Sequence, residues 1–180
     1  MDGRLTPEVT SSPHRPEATI QLLADSPHLI AAVAEMRWKA WGDPSPPGEN
    51  GLAGWIEITG AEAGKDQLPI TWVAVDEHGA AVGAAALQSE SDLRARPELR
   101  PSVVGVVVDC RHRRSGFGRL LLGAVEAWAG TNGVERLWVV TGGQAEAFYR
   151  RCGWHLVEEP VTTPTGVHVA GDVCVLTKST

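Results

Sequence analysis

Two hydrophobic periods alternate along this chain, and their order predicts its elements. Ala18 to Leu23 is a short apolar run suited to a first strand. Ser26-Pro27 is a helix start, a capping hydroxyl followed by proline at the first helical position. Ile30, Val33, Ala34, Trp38 and Trp41 then share one helical face, and Gly42-Asp43-Pro44 ends the helix. Leu52 to Ala63 suits a helix through Trp55, Ile56 and Thr59, although Ile56 and Ile58 also suit a strand. Ile70 to Val75 and Ala80 to Gln88 read as a hairpin around the turn Asp76 to Gly79. Ser89 to Arg100 is a polar loop, and Val103 to Val108 (VVGVVV) is a central strand covered on both faces. Phe117 to Gly130 carries the clearest helical stripe, with Phe117, Leu120, Leu121, Ala124, Val125 and Trp128 in register. Arg136 to Val140 is a strand, and Gln144 to Arg151 is a short helix stopped by Gly153. Trp154 to Val157 and Asp172 to Leu176 close the chain as strands. The order implies an α/β domain of mixed type, one central sheet with helices on its faces.

Composition narrows the setting. A chain of 180 residues has the size of one domain. Residues 1–16, rich in Pro, Ser and Thr and without period, are expected to form a flexible tail, leaving 17–180 as the folded unit. The formal net charge of −6 argues against a nucleic-acid binder. Cys110, Cys152 and Cys174 are too scattered for a disulfide framework or a zinc knuckle, so no metal is expected. With no apolar run able to span a bilayer and no secretory h-region, a cytoplasmic protein without a membrane partner is expected.

The candidate chemistry lies between the VVGVVV strand and the long helix, in Arg111-His112-Arg113-Arg114-Ser115-Gly116-Phe117-Gly118. A glycine-rich turn from strand to helix leaves backbone N–H groups unpaired at the helix N-terminus, where the dipole favours an anion. Gly116 and Gly118 lack a Cβ, so a phosphate is expected to approach closely, and the arginines add charge. No Gly-Lys-Ser/Thr follows, and G-x-G-x-x-G is absent, which excludes a Walker A loop and a dinucleotide fingerprint.

Arg113-x-x-Gly116-x-Gly118 resembles the coenzyme A pyrophosphate loop of the GNAT acetyltransferases. Phe148-Tyr149-Arg150-Arg151-Cys152-Gly153-Trp154 is similar to that superfamily's F-Y-x-x-x-G-F/W element, at the usual separation and in the usual order. Residues 70 to 160 carry the resemblance; the early helices fit the family's variable acceptor-binding part. It implies a mostly antiparallel central sheet splayed between its fourth and fifth strands, with acetyl-CoA as co-substrate. Arg113, Arg114, Ser115, Gly116, Phe117, Gly118 and Arg119 would hold its phosphates. Backbone groups of Val106, Val107 and Val108 would hold the pantetheine arm and polarise the thioester. Tyr149, the only tyrosine, would protonate the departing thiolate. Many relatives place an Asn after the fifth strand; here Thr141-Gly142-Gly143 occupies that stretch.

The expected activity is transfer of acetyl to the primary amine of a small molecule by direct attack in a ternary complex. Transfer to a protein or peptide amine, and a non-catalytic acyl-CoA-binding module, are the alternatives. A homodimer is left open. No carboxylate lies in Val103 to Val108, so the general base is sought among Glu35, Asp43, Glu90, Asp92, His112, His155 or a water. Trp38, Trp41 and Trp55, beside Glu35 and Asp43, suggest a pocket for a compact cation, with core packing as the plainer role of these rings.

Overall fold

The computed structural model describes residues 18–42, 51–93, 95–162 and 172–180. The expected flexible tail, Asp43 and most of the final connection lie outside them. Seven strands form one sheet: β1 (Ala18–Leu22), β2 (Ile70–Asp76), β3 (Ala81–Gln88), β4 (Ser102–Val108), β5 (Arg136–Gly142), β6 (His155–Thr162) and β7 (Asp172–Ser179). The helices are α1 (Ile30–Trp41), α2 (Leu52–Ala61), α3 (Phe117–Thr131) and α4 (Gly143–Arg151). The strand order is β1-β2-β3-β4-β5-β7-β6. Every neighbouring pair is antiparallel except β4–β5. The ambiguous 52–63 stretch is a helix, and the last two strands run longer than their apolar cores alone suggest.

Alternation along β2 explains how both faces are covered. Trp72 and Ala74 pack with Phe117, Leu121 and Val125 of α3. Val73 and Val75 point the other way, against Leu23, Leu29 and Val33 at α1. A third cluster seats Leu93 and Leu99, from the loop after β3, on Val140, Val173 and Val175. No described helix is long and apolar enough to cross a membrane.

The α1 stripe differs from its sequence reading. Val33, Ala34 and Arg37 are its buried residues, whereas Trp38 is half-buried and Trp41 exposed. A short 3-10 turn, Pro27–Leu29, precedes the helix. Ser26 stands at the cap of that turn with Pro27 next, but its hydroxyl makes no cap bond and instead accepts from Gln21 Nε2 at 2.8 Å.

Residue β4 Gly105 resets the face of the site strand. Val104 pairs with Ala86 and Val107 with Ala84, so Gly105 and Val106 together oppose Ala85. Two residues against one is a β-bulge, and Gly105 takes it at φ +60°. The phase shift lets Val103, Val106 and Val108 all face α3, while Val107 turns toward α1.

Candidate active site

The sheet opens between its two parallel strands. Ser102 of β4 sits in register with Trp138 of β5, and Trp138 N–H donates to Pro101 C=O at 3.1 Å. Beyond that point the strands part. Val104, Val106 and Val108 form one wall, and Val139, Val140 and Thr141 the other, of a cleft of about 1830 Å³. Backbone N–H and C=O groups of a parted strand pair have no ladder partner across the gap, so an extended ligand arm can take them.

At one end lies the turn into α3. Asp109 opens it by accepting Arg111 N–H at 2.9 Å and pairing with the Arg111 guanidinium at 3.1 Å. That side-chain bond, with the backbone bond, holds the Asp109 carboxyl down at about 2. Arg111 is therefore tied to its own turn and does not line the cleft, whereas Arg113, Arg114 and Arg119 do. Arg113 Nε also donates to Val108 C=O at 3.3 Å, fixing the loop to the strand. Arg114 takes φ +65° and Gly116 φ +92°. These left-handed residues turn the chain so that Gly116 caps α3 and the first-turn N–H groups point out of the helix end.

The two glycines have different jobs. A Cβ on Gly116 would meet nothing, so its role is conformational: the left-handed backbone and an open approach to the amides. A Cβ on Gly118 would lie 3.0 Å from the Phe148 ring, so Gly118 lets α3 and α4 close. Close phosphate approach was expected of both, and both line the cleft. The helices are further joined where Arg119 Nη2 donates to Arg151 C=O at 2.7 Å. Ser115 and Val107 do not line the cleft; Phe117 and Gly118 do.

Tyr149 reaches the cleft from α4. It is buried, with its ring edge-on to both Phe148 and Trp154. Burial raises its pKa well above the ordinary phenol value, with smaller contributions from Cys152 and Asp92. The hydroxyl therefore keeps its proton and acts as a donor. Behind it, Glu126 on α3 accepts from Trp154 Nε1 at 3.0 Å and pairs with Lys178 at 2.8 Å. Lys178 also donates to Cys152 C=O at 2.7 Å, which locks the end of α4 to β7.

The other end opens between α1, α2 and the β3–β4 loop. Trp41 and Trp55 stack there, 6.4 Å between centroids, beside Ile58, Glu62 and Asp92. Of the sequence-predicted bases, Asp92 and His112 line the cleft. Glu35 is exposed and pairs with Lys39, and Glu90 and His155 lie outside the cleft. The expected pairing of aromatics with Glu35 is thus not formed. Sequence reading also missed Arg37, which is 2% exposed and pairs with Glu62 at 2.7 Å. Its signal was a charge on the apolar stripe of α1, one turn after Val33.

A strand–loop–helix turn leading into a gap between two parallel strands is the framework of this α/β domain. The chain belongs to the acetyltransferase (GNAT) family, whose sequence profile matches residues 30–154. No curated protein matches it in sequence. Among solved structures it is similar to a phosphinothricin acetyltransferase from Sinorhizobium meliloti in complex with acetyl-CoA, with 19% identity, TM-score 0.64, and coverage of 90% of this chain and 88% of that one. It is also similar to the ribosomal-protein-S18-alanine N-acetyltransferase of Escherichia coli: 17% identity, TM-score 0.61, coverage 90% and 93%. A spermidine N-acetyltransferase chimera involving the Vibrio cholerae enzyme shares 14% identity and TM-score 0.64, over 89% and 94% of the chains. At these identities the likeness is one of fold, and the three proteins' acceptors differ widely.

Proposed function

We propose that the protein transfers acetyl from acetyl-CoA to the primary amine of a small molecule, by direct attack within a ternary complex. One observation carries this reading. A single cleft runs from the Gly116 amides, along the parted β4 strand, to Tyr149, and opens at Trp41 and Trp55. The donors fit the co-substrate in sequence: loop N–H groups and Arg113, Arg114 and Arg119 for phosphates, strand backbone for the amides of the arm, and a phenol at the sulfur.

Backbone N–H of β4 at Val106 to Val108 holds the acyl oxygen and stabilises the negative charge that grows there. The amine nitrogen forms its bond to the carbonyl carbon as the carbon–sulfur bond breaks. Tyr149 O–H donates to the departing thiolate. Ordinary values near 10 for a phenol and 8.5 for a thiol put full transfer roughly 2 kcal/mol uphill, and burial of Tyr149 adds to that. Hydrogen-bond donation is therefore its main contribution. The amine's own proton passes to water or to Asp92 or His112, the two sequence-predicted bases that line the cleft.

The test is a panel of amines with release of free thiol as the readout. Small primary amines should support turnover, with intersecting initial-velocity lines for the two substrates. Turnover of peptide amines alone, or binding of acetyl-CoA without turnover of any amine, would replace this reading with one of its alternatives.

A further inference from the structure

Arg37 is a buried cation that the steps above do not use. It rises from α1 and is 2% exposed. Its Nη1 donates to Thr59 Oγ1 at 3.3 Å and to Glu62 Oε2 at 2.7 Å, so α2 holds the guanidinium from one side. Nε and Nη2, the opposite fork of the group, are buried with no hydrogen-bond partner among the described residues. They lie against β4. A Cβ built on Gly105 would be 2.9 Å from Nη2 and 3.1 Å from both Cζ and Nε. Gly105 is the bulge residue at φ +60°, directly before the Val106 to Val108 backbone.

These contacts make a strut from both acceptor-side helices to the one irregular point of the site strand. Unpaired buried guanidinium donors are costly, so the arrangement persists because the neighbours over-determine it. Two consequences follow from the geometry. The guanidinium fills the space where any side chain at position 105 would stand, which holds the bulge and the direction of the next N–H groups. Its charge also lies beside Gly105, next to the strand backbone proposed to hold the acyl oxygen, in a site of low dielectric.

We infer that Arg37 is a positioning residue of the transfer site, which sets the β4 bulge through Gly105 and strengthens the strand's hold on the thioester carbonyl. This rests on the proposed use of acetyl-CoA but on no particular acceptor. The experiment therefore reads the carbonyl directly. Acetyl-CoA labelled with ¹³C at the carbonyl is bound to the full chain, and the isotope-edited infrared band is compared with that of free acetyl-CoA. In the native protein the band should move to lower frequency, as polarisation weakens the C=O bond. In Arg37→Met most of that movement should vanish while acetyl-CoA affinity is kept. Turnover per folded molecule should fall roughly ten- to a hundredfold, the scale of a small misplacement of reacting groups.

Gly105→Ala should give the same loss, because the new methyl collides with the guanidinium. Combining it with Arg37→Met should cost little beyond Gly105→Ala alone, since that change already breaks the contact in addition to straining the +60° backbone. If Arg37→Met does not fold, Glu62→Gln keeps the arginine and loosens its anchor, and a weaker version of the same band shift is expected. An unchanged carbonyl band in the folded variant, or turnover losses that multiply in the double variant, would overturn the role of Arg37 and leave the proposed function standing. Failure of the native protein to bind acetyl-CoA would remove both.

Discussion

The two ends of the cleft are built by different means. The end at α3 is local: one unbroken stretch, Asp109 to Arg119, supplies the turn, the helix terminus and the arginines. The groups it offers are mostly backbone N–H, so two left-handed residues, Arg114 and the capping Gly116, suffice to shape it. The end at α1 and α2 is assembled over distance. Arg37 meets Glu62 and Gly105, Trp41 meets Trp55, and Asp92 arrives from a loop. Its working groups are side chains, and each depends on how separate elements pack. A local, backbone-built site constrains sequence strongly at a few positions, whereas a side-chain pocket leaves the acceptor free to vary.

The largest test of this contrast is at the local end. Gly116→Val forces a β-branched residue to φ +92°, a strain of about 1–3 kcal/mol at the cradle itself. Acetyl-CoA affinity by calorimetry should fall roughly fivefold to 150-fold, the same energy as a ratio, with far-UV circular dichroism unchanged. Gly118→Ala should do the reverse, lowering thermal stability through the Phe148 contact with a smaller effect on affinity. Equal effects of both on affinity would mean that the two glycines share one role.

Tyr149→Phe lies between the two ends. It should lower kcat roughly tenfold to a few hundredfold while the KM for acetyl-CoA stays put, since it removes a donor used as the thiolate forms. The raised pKa of Tyr149 keeps it protonated past the ordinary phenol range, so no alkaline loss of rate should track its ionisation. A decline near pH 10 that disappears in the Phe variant would contradict this assignment.

A smaller effect is expected at the distal end. Trp41 is exposed and stacked, so Trp41→Ala should raise the acceptor KM a fewfold, the scale of one aromatic contact of about 0.5–1.5 kcal/mol. The KM for acetyl-CoA should not change, and a shift in it would show that the ends are not independent.

The smallest effect concerns pH. The Asp109 carboxyl is depressed in the folded state, so its contribution to stability is present above the unfolded value near 3.9 and is lost as pH falls through about 2. Asp109→Asn should flatten the acid limb of the unfolding curve in that window and leave neutral pH turnover nearly unaltered. An unchanged acid limb would mean that the Asp109–Arg111 pair does not hold the turn.

The sequence by itself determined what is local in this protein. Periodicity located α3 and the core of β4, and glycine placement located the turn, because left-handed backbone and helix ends are written within a few residues. The Phe148 to Trp154 element was equally visible, being one helix and its stop. Tertiary structure decided the rest. The inward face of α1 depends on its packing against the sheet, so the stripe read through Trp38 and Trp41, as core or as pocket, gave no place to the buried Arg37. Gly105 looked like one more residue of a valine strand; only its pairing with Ala85 and its contact with Arg37 reveal a bulge. Glu35 looked like a pocket carboxylate until packing turned it to solvent beside Lys39. These outcomes depend on which distant surfaces meet, and no window of neighbouring residues contains that information.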